Sequence, residues 1–408
     1  MSALSPFLPY GRQSVEDEDI AAVTAVLRGD WLTQGPTVTA FETALATRVG
    51  ALEAVACANG TAALRLAYAA LGLGPGDAVV VPSNTFLATA SAARHAGAEV
   101  AFADVDPDTG LMRVAEAEAA IARARRAGWR VRALCPVHYA GQSAPMADLG
   151  ALAAAEEIVV VEDACHAVGT LDVDETGKTV PVGACRHSAL TVFSFHPVKT
   201  IAAGEGGAVT GNDPALMARV RRLANHGMMR VPEAGQGFAD PVAALDADGA
   251  PNPWYYEMDE PGFNHRLSDL HAALALSQLG RLDRLVERRQ ALMTRYAERL
   301  APLAPQVLPL ALVPWCRPAW HLCAVRIDFS MTRRDRAQVM TGLRSAGVGS
   351  QVHYIPVHRQ PYWRARYGDR DLPGAMTHYR RTLSLPLFSA MADDDVERVV
   401  TALVAALS

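Results

Sequence analysis

Ser188-Ala-Leu-Thr-Val-Phe-Ser-Phe-His-Pro-Val-Lys-Thr-Ile-Ala-Ala-Gly-Glu-Gly-Gly207 opens as a buried strand, because Leu190, Val192 and Phe193 are β-formers in an apolar run. Pro197 breaks the run, and two residues later Lys199 stands among small and glycine residues. A lysine held there is partly desolvated. Desolvation lowers an ammonium pKa and yields the neutral amine that attacks a carbonyl. Such chemistry makes Lys199 the candidate Schiff-base residue. The plain alternative is a surface lysine at the start of a loop.

Outward from this stretch, apolar strands alternate with helical stretches. Strands are expected at 54–58, 78–82, 99–104, 131–137, 158–162, 189–195 and 208–210, with helices at 61–71, 85–95, 115–127 and 146–157 between most of them. That alternation predicts an α/β fold, a mostly parallel seven-stranded sheet covered on both faces. The last strand follows the lysine loop so closely that an antiparallel course is expected for it. Two further helices, 15–27 and 37–49, precede the sheet. The segment 228–260, rich in Gly, Pro, Ala and Asp, reads as a long excursion. A long helix follows from 269 towards 300. Strands at 322–327 and 348–354 and helices at 334–346 and 393–407 make a smaller α+β domain. The expected division is 1–265 and 266–408, which agrees with a chain of 408 residues.

Half of the residues are hydrophobic, a fifth are charged, and the formal net charge is -5. This composition is that of a soluble globular protein, and the charge argues against nucleic acid or a membrane surface as partner. No apolar run approaches the ~20 residues of a membrane span. Residues 1–10 have neither a basic nor a long apolar segment, so a cytoplasmic setting is expected. The six cysteines form no C-x-x-C pair, so neither disulfides nor zinc are expected. His353 and His358 lack helical i, i+4 spacing and a third ligand, so no metal is assigned to them.

Ligands of such sheets sit at the carboxyl ends of the strands. Ala58-Asn59-Gly60-Thr61 closes one strand and opens a helix, which makes an anion site from backbone N–H groups and the Thr61 hydroxyl; an ordinary helix cap fits equally. Phe86 follows another strand end, where it could stack on a flat ring or simply pack in the core. Asp163 ends Val159-Val160-Val161-Glu162-Asp163 and could hold a pyridinium nitrogen protonated; capping a helix is its plain role. His166 is placed to approach a ring substituent. Ser194, five residues before Lys199, could donate to a phosphate or be a satisfied core hydroxyl. No G-x-G-x-x-G, P-loop or G-x-S-x-G motif occurs.

Taken in order, Gly60-Thr61-Ala62, Glu162-Asp163, Phe193-Ser194-Phe195-His196 with Lys199, Glu205-Gly206-Gly207, and Phe263-Asn264 with Arg266 resemble the DegT/StrS-type nucleotide-sugar aminotransferases. The resemblance runs nearly end to end, from Tyr10 through Leu32-Thr33-Gln34-Gly35-Pro36 to Ser384-Leu385-Pro386. It implies a fold-type I enzyme with pyridoxal 5′-phosphate as cofactor and a homodimer with shared active sites. Lys199 would carry the cofactor and shuttle the proton, Asp163 would pair with the pyridine nitrogen, and Phe86 would stack on the ring. Gly60, Thr61 and Ser194 would hold the phosphate, with Asn264 reaching it from the partner subunit. His166 stands where many relatives carry glutamine. Tyr10, Asp30, Trp31, Leu32 and Thr33, with His353, Tyr354, Ile355 and Pro356, match segments that contact the nucleotide sugar.

Within the family, Phe195-His196-Pro197-Val198-Lys199, Asn225-His226-Gly227-Met228 and Gln351-Val352-His353-Tyr354 most resemble the branch that makes UDP-4-amino-4,6-dideoxy-N-acetyl-β-L-altrosamine for pseudaminic acid. The reaction so implied transfers the amino group of L-glutamate to the C4 keto group of a UDP-linked 6-deoxy sugar. Another nucleotide keto sugar (a bacillosamine or legionaminic acid precursor, a dTDP-linked sugar or a 3-keto sugar) is the alternative substrate. A cofactor-binding regulator without catalysis is the alternative of another class.

Overall fold

The computed structural model of the protein describes residues 6–230 and 237–408. In chain order, α1 (Asp17–Arg28) and α2 (Pro36–Val49) lead into β1 (Glu53–Cys57), α3 (Gly60–Ala70), β2 (Asp77–Pro82), α4 (Leu87–His95), β3 (Glu99–Ala103), α5 (Val114–Arg126) and β4 (Arg130–Leu134). Then come α6 (Met146–Ala155), β5 (Val159–Asp163), a small hairpin of β6 (Leu171–Val173) and β7 (Thr179–Pro181), β8 (Leu190–Ser194), β9 (Gly207–Gly211) and α7 (Pro214–Ala224). The large sheet has the order β1-β9-β8-β5-β4-β2-β3. Strands β8, β5, β4, β2 and β3 run parallel, whereas β9 is antiparallel to both β8 and β1. The antiparallel course expected for the strand after the lysine loop is therefore present.

Both faces of this sheet are covered, which explains why β2, Asp-Ala-Val-Val-Val-Pro, is buried along its whole length. Leu64 and Tyr68 of α3 and Leu223 of α7 pack with Val79 and Val209 on one face. Ile121 of α5 and Leu149 of α6 pack with Leu134 and Val160 on the other. Beyond the sheet, the excursion is tied at its base by β10 (Met228–Met229) against β11 (Glu257–Met258), with a single turn, α8 (Pro241–Ala244), between them. Residues 231–236 of the excursion lie outside the described residues, as do residues 1–5 of the amino-terminal segment.

The helix expected from 269 towards 300 is two helices, α9 (Asp269–Leu279) and α10 (Leu282–Leu300). The ladder is interrupted at Gly280-Arg281: Gly280 keeps right-handed geometry at φ -60° and ψ -20°, and Arg281, at φ -108° and ψ 8°, leaves it. The smaller body follows with β12 (Val307–Pro309), β13 (Cys316–Arg317), β14 (Cys323–Ile327), α11 (Arg336–Ser345), α12 (Pro361–Tyr367), α13 (Pro373–Arg381), β15 (Thr382–Leu385) and α14 (Asp393–Leu407). Strands β12, β14 and β15 form an antiparallel sheet around Tyr296, Val325, Leu343, Leu385 and Leu403. β13 instead leaves this body to pair with β6 of the large one.

The strand expected at 348–354 does not form. Only isolated bridges occur there, Leu8 to Val348 and Gln351 to Ser384. Gly349 is pressed against the amino-terminal segment, where a Cβ would lie 2.9 Å from Tyr10 N and 3.1 Å from Leu8 O. Residues 348–354 thus run as a strap between the amino-terminal segment and the small sheet, and continue onto the carboxyl ends of the large one.

Candidate active site

Lys199 lies in the loop between β8 and β9, where its N–H donates to His196 O at 2.8 Å and residues 200–203 are buried. Its side chain is half-buried. Removal from water lowers its ammonium pKa, partly opposed by Cys165 and Asp163. Burial, reinforced by the lysine's charge, holds His166 and His321 well below the ordinary imidazole value and pushes His353 down to about 3. Lys199, Asp163, Cys165 and three histidines therefore share one site.

Asp163 ends β5 and is buried. Thr89 Oγ1 donates to its Oδ2 at 2.7 Å, and Cys165 N–H donates to its Oδ1 at 3.2 Å. The alternation of a strand sends the preceding Glu162 to the opposite face. There it meets His138 Nε2 at 2.8 Å and accepts from Ser188. Burial alone would lower the His138 pKa, but Glu162 outweighs it and raises the imidazole while His138 and Ser188 lower the carboxyl. The two adjacent acids thus have separate surroundings, one beside Lys199 and one paired.

Gly60 begins α3, and the N–H groups of Gly60 and Thr61 precede the first helical bond, Ala63 N–H to Asn59 O at 3.0 Å. Asn59 caps the helix by accepting from Ala62 N–H at 2.9 Å. The helix end abuts the end of β8. A Cβ at Gly60 would stand 2.9 Å from Ser194 Cβ, 3.1 Å from Cys165 Sγ and 3.3 Å from Ser194 Oγ. Close approach of backbone, hydroxyl and helix N-terminus makes a cradle for an anion.

The strap covers this site from the small body. Tyr139 Oη donates to His353 O at 2.6 Å, Tyr354 N–H donates to Asn84 Oδ1 at 3.3 Å, and Val357 N–H donates to Ser83 O at 2.9 Å. Tyr354 Oη lies 2.9 Å from His166 Nε2, and its ring is 6.1 Å from that of Phe86. Phe86, 56% exposed, caps α4 with its ring outside the core. Tyr10 stands 5.5 Å from the His353 ring; Pro356 is buried and Ile355 is exposed.

Asp30, Trp31, Leu32 and Thr33 are not drawn into this group. They form an exposed loop anchored to the start of α9, through the Thr33–Ser268 bridge and Asp269 N–H to Leu32 O at 3.0 Å. Asn264 is also exposed, on a segment bridged to Asn225. The sequence reading missed Thr89, His321 and Tyr139. Thr89 had one signal, its i, i+4 position after Thr85, whose Oγ1 lies 2.7 Å from its own; the other two carried none.

A family model for the DegT/DnrJ/EryC1/StrS aminotransferases matches residues 13–404. The Bacillus subtilis (strain 168) spore coat polysaccharide biosynthesis protein SpsC is 39% identical over 403 residues, 97% of this chain and 96% of its own length. A putative sugar aminotransferase from Streptococcus pneumoniae, Spr1654, solved in its PLP form, superposes with a TM-score of 0.85 at 25% identity, over 98% of this chain and 100% of that one. Helicobacter pylori PseC, an aminotransferase involved in the biosynthesis of pseudoaminic acid, shares the fold with a TM-score of 0.84 at 24% identity, over 98% of this chain and 99% of that one. The residues present fit pyridoxal 5′-phosphate: the Gly60–Ser194 cradle has no room for a Cβ, and the carboxylate of Asp163 and the amine of Lys199 face one site. The chain belongs to the DegT/DnrJ/EryC1/StrS aminotransferase family and is a fold-type I enzyme with pyridoxal 5′-phosphate as its cofactor.

Proposed function

We propose that the enzyme transfers the amino group of L-glutamate to the C4 keto group of a UDP-linked 4-keto-6-deoxy-N-acetyl hexose, giving the 4-amino sugar of the altrosamine type. The observation that carries the chemistry is the half-buried Lys199 beside Asp163, its ammonium pKa lowered by burial. Bound pyridoxal phosphate supplies the electron sink that makes proton removal from the reacting carbon feasible. Gly60, Thr61 and Ser194 would hold its phosphate, Asp163 would keep the ring nitrogen protonated, and Phe86 would stack on the ring. Thr89 orients Asp163 through the 2.7 Å bond to its Oδ2. Lys199, with its pKa lowered, takes the proton from the donor carbon and returns it to the sugar carbon.

Support for the sugar comes from the motifs around Lys199 and His353 and from the fold shared with PseC. A homodimer would complete the site, and the exposure of Asn264 and of the large apolar side chains Trp31, Leu32, Phe86 and Leu87 leaves them open to a partner. A second reading, the same transfer to another nucleotide keto sugar, is favoured by SpsC, whose name ties it to spore coat polysaccharide and to no particular sugar. The test is transfer of label: 15N-glutamate and the UDP-linked keto sugar should give a 15N-labelled amino sugar, with parallel-line ping-pong kinetics. Intersecting lines, or label that stays in glutamate, would refute the reaction.

A further inference from the structure

Three histidines surround the Lys199 site, and two already have partners. His353 Nδ1 lies 2.8 Å from Ser384 Oγ, and His166 sits between the Tyr354 hydroxyl and the Ala140 N–H. His321 differs. It is 4% exposed, its ring is 4.4 Å from that of His166, and its Nδ1 has no partner among the described residues. A buried polar atom left unpaired is costly unless a ligand or water completes it.

Behind His321 lies a second unbalanced group. Arg289 of α10 is 1% exposed, and its Nη1 donates to the carbonyls of Trp320, His321 and Leu387 at 3.4, 3.3 and 3.0 Å. Among the described residues no carboxylate pairs with it, and its Nε has no partner. Burial lowers its pKa only to about 10, so it stays cationic at neutral pH. A buried cation without a counter-ion favours an anion bound nearby. Asp163, the acid beside Lys199, is engaged with Thr89 and the Cys165 N–H.

We propose that His321, backed by Arg289, receives the carboxylate of the amino donor, the one bonded to the donor's reacting carbon. The inference deepens the function proposed above and rests on its donor half only. His321 adjoins His166, and the charge of Lys199 bears on both rings, so His321 belongs to the surroundings of the amine that would move the donor's proton. The diphosphate of a nucleotide sugar is held away from C4 by the pyranose ring, so it does not reach this position. His321 therefore serves one half-reaction and is a donor-binding residue.

The test titrates the cofactor absorbance of the holoenzyme with L-glutamate, and that of the amine-loaded form with 2-oxoglutarate. In His321→Leu both apparent dissociation constants should rise about tenfold or more, the worth of one hydrogen bond to a charged group. His321→Asn, which keeps an N–H, should recover part of the loss and decides the matter should the leucine variant not fold. Hydroxylamine carries no carboxylate and should react at the native rate in every variant. Unchanged glutamate and 2-oxoglutarate constants, or equal slowing with hydroxylamine, would overturn the assignment. None of these arms uses a sugar, so failure of every sugar substrate would sink the substrate reading and leave His321 to be judged separately.

Discussion

Replacing Gly60 with alanine probes the phosphate cradle directly. The new Cβ would lie 2.9 Å from Ser194 Cβ and 3.1 Å from Cys165 Sγ, inside the ~3.5–4.0 Å optimum for carbon contacts. The end of β8 must give way, and the Ser194 hydroxyl moves with it. Overpacking of this kind costs about 1–3 kcal/mol, offset by about 0.5–1 kcal/mol from the better helix propensity of alanine. Net stability should fall by no more than about 2.5 kcal/mol. The cofactor should suffer more, because a hydrogen bond to a charged phosphate is worth about 1.5–3 kcal/mol, or roughly 10- to 150-fold in affinity. Ser194→Ala should have the same effect by removing the hydroxyl itself. Since both changes act on one oxygen, the double variant should be clearly less than additive. The assay is titration of the apoenzyme with pyridoxal phosphate and, in parallel, with pyridoxal, which lacks the phosphate. Equal weakening of both ligands, or full additivity of the two substitutions, would refute the cradle.

Three further outcomes are expected. Thr89→Val removes the donor to Asp163 Oδ2 and should lower kcat about tenfold, a barrier change of about 1.4 kcal/mol, whereas Thr89→Ser should retain activity; steady-state kinetics with saturating substrates decide it. Tyr139→Phe frees the buried carbonyl of His353 and should cost about 1–3 kcal/mol, read as a lower denaturant midpoint and faster amide exchange at Tyr354. Burial holds His353 near 3 and His358 and His378 near 4, against an ordinary value of about 6.5. Between those limits the unfolded chain binds protons that the fold refuses, so these groups make stability fall as pH falls, by about 4 kcal/mol per unit near pH 5. Their effect vanishes above about pH 7; a thermal midpoint independent of pH between 6.5 and 4.5 would contradict this.

Strong periodicity made most of the large sheet legible. The strands expected at 78–82 and 158–162 differ by a residue from Asp77–Pro82 and Val159–Asp163, and α14 occupies the residues expected for it. Short elements were not legible, because β6, β7 and β13 run for two or three residues and are set by pairing across the chain. The segment 348–354 has strand-forming residues at its ends, yet close packing of Gly349 on Tyr10 and Leu8 diverts it into a strap. For the site, residues at strand ends were legible from position: Asp163, Ser194 and Gly60 all lie where ligands of such sheets bind. Residues that act through tertiary contact were not. Thr89 meets Asp163 across 74 residues, and His321 meets His166 only when the small body folds over the sheet.

The substrate is the central claim, and one measurement addresses it most directly. Enzyme converted to its amine-loaded form with L-glutamate and freed of excess donor is mixed with UDP-linked 4-keto-6-deoxy-N-acetyl sugars of L-arabino or D-xylo configuration, and the return of the cofactor's original absorbance is followed. The account predicts return with the L-arabino sugar and not with the D-xylo sugar. Return with the D-xylo sugar alone, or with neither, would contradict it.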